Sequence, residues 1–311
     1  MPAVLLGRPQ QPMSPLERLE VIQHVEVLGP VVGLSSLRAL FPEVPRSHLR
    51  DVQMQFRRQW RLDHDIPTEE LIWTTPGTVW AGDFTDPLAP IDGSFRHILA
   101  TRDLASYMHL LAHPTATESA CVACDVIEPL FRSHGAPLVL KFDHGSAFIS
   151  KDFRALLAQF GVVLLLSPAR LPRYNGSAEA GNGSLKTRTH YQAVANGRGS
   201  NPTSDDVEAA QGQLNSTLRP WGPCRPTPLE TWQSRKPITP DHRAQFRQCA
   251  ADSEQIARRD LGLGNEPLEP KARAIVARAA IRRALETLGY LLVQRRRISP
   301  PLTSPLCDKI T

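Results

Sequence analysis

Apolar residues recur every three or four positions between residues 14 and 61, and from residue 78 the period changes to that of strands. Ser14-Pro15-Leu16-Glu17 combines a capping serine, a proline at the first helical position and a glutamate completing a capping box. Leu16, Leu19, Ile22 and Val25 follow at helical spacing until Gly29-Pro30 stops the helix. A second short helix is predicted over 35–41 and a third over 45–61. In the third, Leu49, Val52, Phe56 and Trp60 form an apolar stripe, while Arg46, Arg50, Gln53, Arg57 and Arg61 share another face. Three short helices ending in one with an Arg/Gln face suit a helix-turn-helix DNA reader, whose last helix presents bidentate donors to base edges and phosphates. A solvated basic face on an ordinary helical bundle is the plainer account of the same pattern.

Residues 63–76 are polar and proline-containing, as a linker would be. Strands are predicted over 78–85, 96–101 and 107–112, separated by turn residues. A helix over 117–133 precedes the apolar run 138–142, and a helix over 151–160 precedes 162–166. Three strands, helix, strand, helix, strand predicts an α/β fold: a ribonuclease-H-like five-stranded mixed sheet flanked by helices. Further helices are expected from residue 176 and over 204–218, and the proline-rich piece 219–228 closes the core. The remainder is mostly helical and basic, with runs at Arg282-Arg283 and Arg295-Arg296-Arg297. The chain therefore divides into a disordered tail (1–13), a helix-turn-helix domain (14–62), a linker (63–76), a catalytic core (77–235) and a basic C-terminal segment (236–311). That last segment reads as a small DNA-binding module or an oligomerisation arm.

Three carboxylates stand out against this frame. Asp83 lies inside the first strand of the core, in Val79-Trp80-Ala81-Gly82-Asp83-Phe84-Thr85, where an unpartnered charge is costly to bury. Asp143 directly follows the fourth strand, in Lys141-Phe142-Asp143-His144-Gly145. Glu179 falls in the first turn of the next helix, after Asn175-Gly176-Ser177-Ala178. Carboxylates converging from separate elements are what two-metal phosphoryl transfer requires, with two hard cations, Mg²⁺ or Mn²⁺, about 3.5–4 Å apart. Asp103 also follows a strand, but Asp-x-x-Ser is a common turn and cap, and Asp86, Asp92 and Asp152 sit at turns or helix starts.

Asp143 and Glu179 are separated by 35 residues. W-x-x-D-F-T, D-x-G-x-x-F, and S-P followed by N-G-x-x-E across that gap together resemble the catalytic core of retroviral-type integrases and bacterial DDE transposases. Asn215-Ser216-Thr217-Leu218-Arg219-Pro220 with Thr227-Pro228 is similar to a segment closing the bacterial members. The resemblance covers residues 75–235. It implies metal-dependent cleavage and strand transfer of a mobile element's DNA ends into target DNA. Catalysis and metal binding would fall to Asp83, Asp143 and Glu179, without a covalent protein–DNA intermediate. It also implies that Asn175 shapes the loop beside the third carboxylate and that Lys186 and Arg188 bind the DNA end's phosphates. Double-stranded DNA and further copies of the chain, in a synaptic homo-oligomer, would be the partners. Two departures are visible: His144 stands where bacterial relatives have Asn, and Ala180-Gly181-Asn182-Gly183 replaces a basic and aromatic stretch. A transposase-derived DNA binder without catalysis, or a ribonuclease-H-like nuclease without strand transfer, are the competing accounts.

Composition adds little but conflicts with none of this. The 311 residues carry a formal charge of +5 and a pI near 9.1, and 41% are hydrophobic, enough for a globular core. Five scattered cysteines argue against a disulfide scaffold, and Cys121-x-x-Cys124 lacks a second pair for zinc. No stretch reaches membrane-span length, so a cytoplasmic, nucleoid-associated bacterial protein is expected.

Overall fold

The computed structural model describes residues 13–64, 68–167, 176–199, 201–264 and 266–296. They form two compact units: the described residues up to Glu70 together with those from Val293, and Leu71–Leu292.

In the first unit, helices α1 (Pro15–Leu28), α2 (Leu34–Leu40) and α3 (Arg46–Asp63) enclose Val21, Val25, Leu37, Leu49 and Val52. The capping box closes as its residues demand: Ser14 N donates to Glu17 Oε2 at 2.9 Å and Glu17 N to Ser14 Oγ at 3.2 Å. The Arg/Gln face of α3 divides in two. Gln53 is buried and donates from Nε2 to Val32 O at 2.6 Å. Arg57 donates to Pro30 O at 2.7 Å and to Val32 O at 2.8 Å. Carbonyls in the α1–α2 connection have no helical partner, and these side chains supply donors. Arg46 and Arg50 remain exposed and Arg61 is half-buried.

Residues 63–76, expected as a linker, contain strand β1 (Thr68–Trp73), which pairs in a two-stranded sheet with β7 (Leu291–Arg296). Nothing near residue 68 announces a partner more than two hundred positions away.

The second unit holds a five-stranded sheet of β2 (Val79–Thr85), β3 (His97–Asp103), β4 (His109–Thr115), β5 (Val139–Phe142) and β6 (Val163–Leu166), in the order β4-β3-β2-β5-β6. The first three strands are antiparallel neighbours, while β5 joins β2, and β6 joins β5, in parallel. This is the mixed, ribonuclease-H-like sheet that the chain's pattern predicts. Helices α4 (Ala120–His134), α5 (Ser146–Ile149), α6 (Lys151–Gln159) and α9 (Pro228–Gln233) pack on the face bearing Trp80, Leu99, Leu140 and Phe142. Helices α7 (Gly176–Ala195) and α8 (Ser204–Ser216) cover the other face, burying Leu185, Val207, Ala210 and Leu214 on Ile98 and Ala100. Strand periodicity therefore assigns Val79, Ala81 and Asp83 to the α7 side and Trp80, Gly82 and Phe84 to the opposite one.

This unit does not stop where a core ending at residue 235 would place it. Helices α10 (Pro240–Asp260) and α11 (Pro270–Thr287) pack along each other and onto the sheet's surroundings. Arg243, on α10, donates to Pro137 O at 2.7 Å and to Ala136 O, tying the helix to the turn before β5. Ala274, Ala277 and Ile281 of α11 line a groove with Leu164, Leu165 and Leu166, covering the edge strand β6. The Arg282-Arg283 pair lies at the surface, where Arg282 bonds Glu286 at 2.7 Å and Arg283 reaches Asp260 at 3.3 Å.

Gly82 is required by packing. A Cβ there would stand 2.5 Å from Phe142 Cε1 and 2.8 Å from Ala100 O. Gly82→Ala is expected to lower unfolding free energy by about 1–3 kcal/mol, measured by urea denaturation; an unchanged midpoint would show that the sheet accommodates the methyl group.

Candidate active site

Asp83 and Asp143 meet because of strand register. Ala81 pairs with Lys141 across the parallel β2–β5 junction, so two further steps along each strand bring Asp83 beside Asp143. The small side of β2 at Gly82 admits the Phe142 ring, which stacks on Phe148 at 3.9 Å; Phe148 in turn lies 5.3 Å from Phe84. This aromatic layer supports both aspartates from the far face of the sheet. Asp143 is fixed by its own turn: Gly145 N donates to Asp143 Oδ1 at 2.8 Å. A Cβ at Gly145 would lie 2.9 Å from that oxygen, which accounts for the glycine of D-x-G. Glu179 is exposed in the first turn of α7, and the ligand atoms of Asp83, Asp143 and Glu179 do not all lie within 4.8 Å of one another.

Asp83 lies within electrostatic reach of Asp143, Glu118 and Glu179. Desolvation pushes Asp83 up to about 7, and the charges of Asp143, Glu118 and Glu179 push it the same way, against a backbone hydrogen bond from Phe84. Behind them sits a cation. Lys141 is buried on the same face; desolvation lowers it to about 8, and Glu179 favours its charged form. Half-buried Asp83 and Asp143 and exposed Glu179 are hard oxygen donors of the kind a divalent cation takes, and such a cation would relieve the repulsion on Asp83.

Other residues fall out differently. Asn175 lies outside the described residues. Lys186 and Arg188 are half-buried further along α7, and Arg188 Nη1 leans toward Gln213 Oε1 at 3.5 Å. His144 is exposed. Asp103 is fully buried as a turn anchor, accepting from Gly77 N at 2.8 Å and from Ser106 N and Oγ at 2.7 Å. Among the described residues, the ligand-type atoms that all lie within 4.8 Å of one another belong to Asp86, His97 and Glu118. There His97 Nδ1 sits 2.8 Å from Asp86 and 3.2 Å from Glu118, so the imidazole already bridges the carboxylates. Sequence reasoning passed over this cluster because its members come from three elements with no shared motif. It also missed Lys141 and Arg102, whose burial on the carboxylate face follows only from strand register. Cys121 and Cys124 are free thiols on α4. Among the described residues no helix is long and apolar enough to cross a membrane.

Residues 74–172 match the family model for the integrase core domain. The Gag-Pol polyprotein of gibbon ape leukemia virus is 31% identical over 123 residues, 39% of this chain and 7% of the polyprotein. That of feline leukemia virus is 34% identical over 112 residues, 36% of this chain and 6% of the polyprotein. The chain thus spans less than a tenth of these relatives' length. Among solved structures, the HTLV-2 integrase catalytic core domain in complex with magnesium overlaps 51% of this chain and 97% of that one, with 18% identity and a TM-score of 0.43. A simian T-cell lymphotropic virus intasome overlaps 70% and 77%, with 18% identity and a TM-score of 0.47.

The raised Asp83 has a consequence for stability. Its value rises from 3.8 to about 7 on folding, so the folded, metal-free chain binds this proton more tightly than the unfolded chain does. Stability from this group therefore falls as pH rises between those values. Asp83→Asn is expected to melt roughly 2–4 °C above the wild type at pH 8 in EDTA, with the difference gone near pH 4. A difference independent of pH would contradict the assignment.

Proposed function

We propose that the integrase core domain carried by this chain cleaves the DNA ends of a bacterial mobile element and joins them to target DNA, using two Mg²⁺ or Mn²⁺ ions held by Asp83, Asp143 and Glu179. The observation that supports this reading is the β2–β5 register that sets Asp83 beside Asp143, with Asp83 raised to about 7 chiefly by desolvation and next by Asp143, and with Glu179 within electrostatic reach. When bound, such cations would activate the attacking oxygen and stabilise the leaving one. Asp83, on β2, and Asp143, just after β5, would each supply carboxylate oxygens to hold the cations. Glu179 enters from a helix and is suited to closing the site over the scissile phosphate. No Ser or Tyr nucleophile is needed, because water and then the freed 3′-hydroxyl are the attacking groups.

DNA contact outside the site falls to two regions in this reading. Lys186 and Arg188 lie about two turns beyond Glu179 on α7, within reach of backbone phosphates. The three-helix unit of residues 14–62 would act as the helix-turn-helix reader through Arg46, Arg50 and Arg61, since Gln53 and Arg57 are engaged inside it. Several copies of the chain would assemble on paired DNA ends. Such a protein would work in the bacterial cytoplasm, associated with the nucleoid.

The test is to incubate the purified chain with labelled element ends, Mg²⁺ and a supercoiled target. Joined products are expected; nicks alone would mark a nuclease, and shifted but uncut DNA a binder that has lost catalysis. Asp83→Asn, Asp143→Asn and Glu179→Gln should each lower strand transfer at least about a hundredfold, the scale of losing a group that stabilises transition-state charge; full activity in all three would remove the metal-site assignment. For the N-terminal unit, Arg50→Ala should reduce the slope of log affinity against log salt by about one, read by fluorescence anisotropy on duplex DNA. An unchanged slope would take Arg50 off the phosphate backbone.

A further inference from the structure

We propose that Arg102 is the positioning residue that holds the Glu179-bearing turn of α7 on the sheet, and that Gly181 is bare to admit its guanidinium. This deepens the metal reading above and rests on it.

Arg102 stands on β3 opposite Ala81, on the face that carries Asp83, and only 7% of it is exposed. Its Nη1 donates to Ser177 O at 3.0 Å, two residues before Glu179. A Cβ on Gly181 would lie 2.5 Å from that same Nη1 and 2.8 Å from Arg102 Cδ. Gly181 has no positive φ, so space and not backbone freedom calls for glycine here. Gly183, two positions on, offers the contrast: a Cβ there would meet nothing within 4 Å. Across the guanidinium lies Tyr107, its ring centroid 4.8 Å away and its carbonyl 3.5 Å from Nη2. Tyr107 adopts φ 61 at the β3–β4 turn and rests on Trp221 at 5.5 Å. The guanidinium is thus gripped between a strained turn and the first turn of α7.

A purely structural brace would not be built this way. Desolvation disfavours the charged guanidinium, and a cation near a helix N-terminus meets the positive end of the helix dipole. An apolar side chain would fill the volume without either penalty. What arginine adds is a directed donor onto Ser177 O, which fixes the height and rotation of the turn from which Glu179 projects. Supporting groups that orient metal ligands typically matter ten- to a hundredfold for affinity.

The full-length chain is titrated with Mn²⁺ alone, well below its melting temperature, and free Mn²⁺ is read by electron paramagnetic resonance. Arg102→Met and Gly181→Ala are each expected to weaken Mn²⁺ binding about tenfold, while Gly183→Ala leaves it unchanged. Thermal unfolding supplies the second arm: Gly181→Ala should lower the melting temperature beside Arg102 but not in an Arg102→Ala background. Wild-type Mn²⁺ affinity in both Arg102→Met and Gly181→Ala, whatever their melting temperatures, would overturn the positioning role. If the wild-type chain binds no Mn²⁺, the metal reading fails by itself. The two substitutions in unfolding then judge the clamp alone, and additivity overturns it.

Discussion

Everything around the candidate site follows from one costly placement: a carboxylate, Asp83, half-buried in a sheet beside a second one, Asp143. Water no longer solvates it fully, and three neighbouring acids repel it. The chain tolerates this because the surrounding elements are rigid. Phe142, Phe148 and Phe84 brace the strands from below, Gly82 lets that layer close up, and Gly145 pins Asp143 from its own turn. Two residues before Asp83 on the same face, Ala81 is flanked by Arg102 on one side and Lys141 on the other. The face is therefore layered, acids in front and cations behind, with a small residue between the cations that leaves room for α7.

Much of this was legible in the sequence, for definite physical reasons. The strand signal along 78–85 and the apolar run 138–142 come from strands covered by helices on both faces, and the cap at Ser14 is local hydrogen-bond chemistry. Asp83, Asp143 and Glu179 stand out in the sequence because each sits beside residues that its own strand, turn or helix start demands, and the β2–β5 register puts the first two side by side. The rest depends on partners brought together only by folding. The β1–β7 ladder joins segments at opposite ends of the chain, and no periodicity near either reveals it. Gln53 and Arg57 share a helical face with Arg46 and Arg50, yet a nearby turn needs their donors. The two glycines after Glu179 look alike on paper; only the Arg102 guanidinium separates Gly181 from Gly183.

The C-terminal third shows how charge patterns mislead in the same way. Arg282 and Arg283 form one of the basic runs, but Arg282 meets Glu286 on its own helix and Arg283 meets Asp260 on α10. Basic residues on a helix hairpin serve its attachment as readily as they serve a polyanion. The net charge of +5 is consequently a poor guide to where nucleic acid would lie.

Helix α11 lies against Leu164–Leu166 and shields β6, the strand at the open border of the sheet. A strand left bare at that border would offer unpaired backbone groups to any other chain, the usual route to aggregation. The motif-bearing stretch that links this protein to its viral relatives is thus not a self-sufficient block. Cutting the chain just after α9 to isolate the chemistry would expose the apolar flank of β6 and favour insoluble assembly. Solubility alone is a reason for this core to keep the α10–α11 hairpin.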